Sequence, residues 1–131
     1  MRYLFVVAGL TALTFAAHAQ EDKASIYEIL DNFFASSAAY NKCGSNDEAL
    51  KFKFAANLTA VSARAAMQAK EDHPYDPEGD LVNAMKERGK AIRAKVEEEI
   101  ANQGCASEPI KQLLKLYEFN ANWNIYGGSG R

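Results

Sequence analysis

The chain has 131 residues, 48 % of them hydrophobic, with 15 basic and 17 acidic side chains and a formal net charge of −2. That near balance gives no global electrostatic reason to bind nucleic acid or an anionic membrane. A size near 100 residues suits one domain with one core.

In chain order, the first element is MRYLFVVAGLTALTFAAHAQ. Arg2 is a short positive region, residues 4–16 are an apolar stretch, and Ala17-His18-Ala19 supplies small residues at the two positions a signal peptidase requires. The apolar run is shorter than the ~20 residues that span a bilayer. Residues 1–19 therefore read as a cleavable signal peptide, with Gln20 as the mature N-terminus and no membrane anchor after cleavage. Residues 20–131 then form a single helical domain, with 14 basic against 17 acidic side chains and a glycine-rich flexible tail from about residue 127. The expected location is the periplasm, or outside the cell.

Four segments carry helical periodicity and none alternates as a strand does. The first is expected over 25–41. Ser25 and Glu28 make a capping box, and Ile26, Leu30, Phe33, Ser37 and Tyr40 share a face that Tyr27, Phe34 and Ala38 widen. The second is expected over 46–70, opened by a capping box of Ser45 and Glu48. Its face is Leu50, Phe54, Leu58, Val61 and Ala65, and eight alanines favour the helix and permit close approach of a neighbour. The sequon Asn57-Leu58-Thr59 inside it reads as chance. The turn EDHPYDPEGD follows at 71–80, with Asp76-Pro77 a good cap and first helical residue, and the third helix is expected from about Pro77 or Asp80 to Asn102. Leu81, Met85, Ile92, Val96 and Ile100 mark its face, and Gly89 within that face suggests a crossing contact that tolerates no side chain. Gly104 ends it. The fourth helix starts at Ser107, with Glu108 and Pro109 in its first turn, and carries Ile110, Leu113, Leu114, Tyr117 and Ala121. The four lengths read as comparable and the linkers are short. The expected fold is all-α: a small antiparallel four-helix bundle.

Cys43 and Cys105 each lie two residues before a serine, one after the first helix and one after the third. In an up-down-up-down bundle those junctions share a pole, so an exported pair reads as one structural disulfide stapling the bundle. No C-x-x-C is present for redox chemistry, nor the further ligands a zinc site needs.

The acidic turn is the most tempting local chemistry. His73, Asp76 and Asp80, with Glu71, Asp72 and Glu78 around them and Met67 and Met85 on the converging helix ends, offer ligands to a divalent cation. The spacing matches no calcium loop, and acids before a helix start are also what the helix dipole favours. Haem attachment would need C-x-x-C-H, which is absent. The run MKERGKAIRAKVEEE places Lys86, Lys90 and Arg93 on one face, while Arg93–Glu97 and Lys95–Glu99 read as solvated pairs four apart. No nucleophile–base pair stands out, so the chain reads as a binding protein and not an enzyme, with no cofactor. Its expected partner is another exported protein, as for an adaptor, inhibitor, immunity or chaperone-like module, or a second copy in a homodimer. Phe52, off the Leu50–Phe54 face, and Trp123 and Tyr126, after the last confident turn, are the expected contact residues. A small-ligand or metal site at residues 71–80 is the alternative.

Overall fold

The computed structural model describes residues 24–125. The expected signal peptide, the tail from about residue 127 and Tyr126 lie outside the described residues. Four helices follow in order: α1 (Ile26–Cys43), α2 (Glu48–Asp72), α3 (Glu78–Gln103) and α4 (Glu108–Asn122). There is no strand among the described residues. The protein is an antiparallel four-helix bundle, up-down-up-down, closed by one disulfide.

The helix starts follow local chemistry with two corrections. At α1 the capping box forms as expected: Glu28 N donates to Ser25 Oγ at 3.2 Å and Ser25 N to Glu28 Oε2 at 3.1 Å. At α2 the cap is Asp47, not Ser45, and its carboxylate accepts from Leu50 N at 3.1 Å. The Tyr40 hydroxyl explains the shift: it accepts from Asp47 N at 2.8 Å and lies 3.3 Å from Ser45 Oγ, holding that hydroxyl away from the helix. Asn46 bridges the two in the left-handed region at φ 62°, which asparagine tolerates better than most residues. At α3 the cap is Pro77 and not Asp76, and the helix begins at Glu78, between the two expected starts of Pro77 and Asp80. Its carbonyl accepts from Asp80 N at 3.0 Å, while Asp76 N is spent on the His73 carbonyl in the preceding turn. Gly104 ends α3 at φ 80°, a conformation that favours glycine.

α1 lies at the centre, and this too departs from a plain square bundle. Its largest interfaces are with α3 and α4, it also packs on α2, and α3 touches α2 and α4 only slightly. The pairing of residues fixes directions. Asp31, Phe34 and Ala38–Ala39 of α1 meet Arg88, Gly89 and Val96 of α3 in the same order, so these helices run parallel. The cause is the composition of α1, whose buried set Leu30, Phe33, Phe34, Ser36, Ala38, Ala39 and Tyr40 runs almost round the helix. Gly89 supplies the fit: a Cβ there would stand 3.1 Å from the Phe34 ring. Arg93, expected to pair with Glu97, lies over the other part of that contact, its guanidinium 5.1 Å from the Phe34 centroid. Arg88 forks onto Asp31 at 2.7 and 2.5 Å, tying α3 to α1, and this holds its guanidinium pKa above the ordinary value.

The core is an aromatic ladder. Phe33 and Phe54 centroids are 5.1 Å apart, Phe54 and Tyr117 stack at 4.0 Å, and Tyr117 and Tyr40 stack at 3.9 Å. A smaller cluster of Ala38, Ala39, Val96 and Ile110 fills the pole nearest the disulfide. Cys43 is the last residue of α1 and Cys105 lies just past α3, with Cα atoms 5.5 Å apart. One buried polar pair interrupts the apolar packing. Asn120 Nδ2 donates to Ser36 Oγ at 3.2 Å, and Ser36 in turn donates to the Phe33 carbonyl.

Candidate functional site

The helices are not comparable in length. α2 and α3 have 25 and 26 residues, α4 only 15. α4 runs parallel to α2, with Tyr117 beside Phe54 and Ala121 beside Asn57. It therefore stops about halfway along α2. Asn57 secures the stop: its Nδ2 donates to the carbonyls of Asn120 at 2.7 Å and Trp123 at 2.8 Å, and more weakly to Ala121 at 3.3 Å. The sequon asparagine thus caps α4, and the nitrogen a glycan would use is already committed. Asn57→Ala leaves those carbonyls without their donor and is expected to lower unfolding free energy by about 1–3 kcal/mol in urea denaturation.

Beyond that stop the flank of α1 and α2 lacks a fourth helix. Trp123 continues with extended backbone, φ −67° and ψ 130°, and Trp123 and Ile125 turn back against the core. They cover only part of the gap. What remains is an open groove of about 780 Å³ with Ile26, Ile29, Val61, Met67, Trp123 and Ile125 along it and Arg64, Gln68 and Glu71 on its rim. A second groove of about 390 Å³ opens on the other side of α2, toward α3, and Met67 borders both. Met85 shares the second with Leu81 and Val82.

At the foot of the first groove, Tyr27 donates to Asp72 Oδ2 at 2.7 Å, joining the start of α1 to the end of α2. Asp72 is held below the usual carboxylate range by that hydroxyl and by the Gln68 amide. Burial, then the bond to Asp72, pushes the Tyr27 phenol up to about 12. Burial also pushes Tyr117 up to about 12, with the neighbouring Tyr40 adding to it. Both phenols must stay protonated in the fold but ionise near pH ~10 once unfolded. Their contribution is thus fully present below about pH 10 and is lost as pH rises toward about 12. A melting temperature falling over that window is expected, with late phenolate absorbance that disappears in a Tyr27→Phe, Tyr117→Phe double variant.

The sequence-predicted contact residues separate. Phe52 is 77 % exposed and faces solvent from α2. Trp123 is half-buried and lines the groove, so it offers an edge and not a free face. Phe119 points outward from α4 at 63 % exposure. Residues 71–80 are all exposed. His73 Nδ1 stands 3.7 Å from Asp76 Oδ2, and Asp72 is taken by Tyr27 and Gln68. Among the described residues no three His, Cys, Asp or Glu side chains gather as a metal site would need. Ile29 and Arg64 went unmarked in the sequence and Asn57 was noted only as a chance sequon; the shortness of the last periodic stripe is the signal that could have found them.

The fold and the groove define a disulfide-tied helical bundle with an incomplete fourth flank. Comparison with family models, with curated proteins and with solved structures found no match. Among the described residues no helix is long and apolar enough to cross a membrane.

Proposed function

We propose that this is an exported helical protein that acts by binding another protein, and that the groove beyond α4 receives a short amphipathic helix of the partner. The supporting observation is the missing continuation of α4. An apolar trough bounded by two helices, with both walls already spaced by Trp123 and Ile125, is the geometry into which a helix lays one face. Three to four turns would span the flank, since α2 runs on from Asn57, where α4 stops, to Asp72, about fifteen residues at a helical rise of ~1.5 Å each. The mixed rim of Arg64 and Glu71 suits a partner helix with charges of both signs. Export rests on the N-terminal pattern and is supported by a disulfide, a bond that persists in oxidising compartments.

A photo-cross-linking side chain at Gln68, on the rim of the groove, should trap a defined heterologous adduct in cells, while the same group at Lys95 on the exposed face of α3 should not. Equal labelling at both positions, or none at Gln68, would overturn the reading. N-terminal sequencing of the exported form should begin at Gln20.

A further inference from the structure

We propose that the outer face of α2 is a homodimer interface: two copies pair antiparallel about a two-fold axis near Thr59, and each Phe52 enters the partner's groove between α2 and α3. This deepens the binding reading above by naming a partner for a second surface, and it rests on the same premise, that the exposed apolar surface serves association.

α2 carries two apolar stripes. One, Phe54, Val61, Ala65 and Ala69, is buried. The other is Ala49, Phe52, Ala56, Thr59, Ala63 and Ala66, spaced alternately three and four apart, so that all six lie near one line of the helix. The first five are exposed and Ala66 is half-exposed. α3 does not cover them, because Gly89 and Phe34 draw it onto α1. The run contains no charge. Its single hydroxyl, Thr59 Oγ1, already donates to the Ala55 carbonyl at 2.9 Å, so a partner would bury no unpaired donor there.

Small side chains permit a close helix–helix approach but do not choose the occupant. Three features choose a second copy. The first is a knob and a hole on one line. Phe52 is 77 % exposed. The groove of about 390 Å³, walled by Ala66, Met67, Val82 and Met85, lies further along the same stripe, about 22 Å away at ~1.5 Å per residue. A two-fold midway between them, at Thr59, gives every Phe52 a groove and every groove a Phe52, as an isologous interface requires. Parallel pairing would set Phe52 against Phe52 and leave both grooves open.

The second feature is charge. Glu48, which accepts from Lys51 Nζ at 3.2 Å through Oε1, and Lys70 stand at opposite ends of the stripe, and antiparallel pairing about Thr59 places the Glu48 carboxylate opposite the partner's Lys70 as a second cation. The third is area. A strip about 33 Å long and about 10 Å wide on each copy buries roughly 700 Å² in total. Two inserted phenyl rings, at about 150–250 Å² each, bring the interface to the ~1,000 Å² that specific association needs.

The test is the oligomeric state of the chain from Gln20 onward with its disulfide intact, by sedimentation and light scattering. A dimer at about 100 μM is expected, with Phe52→Ala and Thr59→Glu each raising its Kd by about tenfold or more. Both positions are exposed, so far-UV circular dichroism should not change. Glu48→Lys and Lys70→Glu should each weaken the dimer and together restore it. Thr59→Cys, close to the axis, should form an intermolecular disulfide under mild oxidation, whereas Lys95→Cys should not. A monomer at about 1 mM, or a dimer indifferent to Phe52→Ala and Thr59→Glu, overturns the proposal. A monomer that still gives heterologous Gln68 adducts removes the dimer and leaves the groove reading; a dimer without such adducts does the reverse.

Discussion

Removing the disulfide, by Cys43→Ser with Cys105→Ser or by a reductant, is expected to destabilise the protein by about 4 kcal/mol. The bond closes a loop of 62 residues, and in the chain-entropy account most of its effect comes from restricting the unfolded ensemble. For a domain of this size that corresponds to a fall in melting temperature of roughly 15 °C. The native bundle should survive the loss. α1 and α3 remain joined by Phe34 on Gly89, by the Arg88–Asp31 fork and by Val96 among Ala38 and Ala39. Helicity at 25 °C should thus be retained while the unfolding midpoint drops. An unchanged midpoint in reductant, with both thiols shown to be free, would contradict this account of how the pole is held.

The second large effect is expected at Phe33. Its side chain has no exposed surface and begins the aromatic ladder against Phe54. Phe33→Ala removes the ring and leaves a cavity that α1 cannot collapse into, because α1 is packed on three sides. A loss of about 3–5 kcal/mol is expected from urea unfolding. Phe119→Ala removes the same ring from a site that is 63 % exposed, and should change stability by less than about 0.5 kcal/mol. Comparable losses for the two variants would show that the ladder is not the core. Folded domains hold only about 5–15 kcal/mol in reserve, so the disulfide and Phe33 each carry a large share.

Most of the architecture was legible locally. The stripe of α1 shows its central burial, since Phe33 and Phe34 lie on different sides of the helix and both must find cover. Gly89 was recognisable as a contact point because a mid-helix glycine costs up to ~1 kcal/mol unless something needs the space, and the Phe34 ring supplies the reason. The caps were less legible. Ser45 and Asp47 both fit a start for α2, and only the Tyr40 hydroxyl, seven residues before Asp47 and held in place by stacking on Tyr117, selects Asp47. Of the candidate contact residues, Phe52 was readable as off-face. The half-buried state of Trp123 was not, because it depends on where α4 ends relative to α2.

The sequence alone determines four helices, their direction along the bundle and the pairing of the two cysteines, because each follows from short-range periodicity and from the placement of junctions in an alternating chain. Tertiary structure decided which helices touch, where α4 stops and which apolar residues stay uncovered. Those outcomes depend on the fit between side chains far apart in the chain: Phe34 against Gly89, and Asn57 against the last carbonyls of α4. Helix periodicity says which face is apolar. It does not say which neighbour will arrive to cover it, and here two such faces of α2 found different answers.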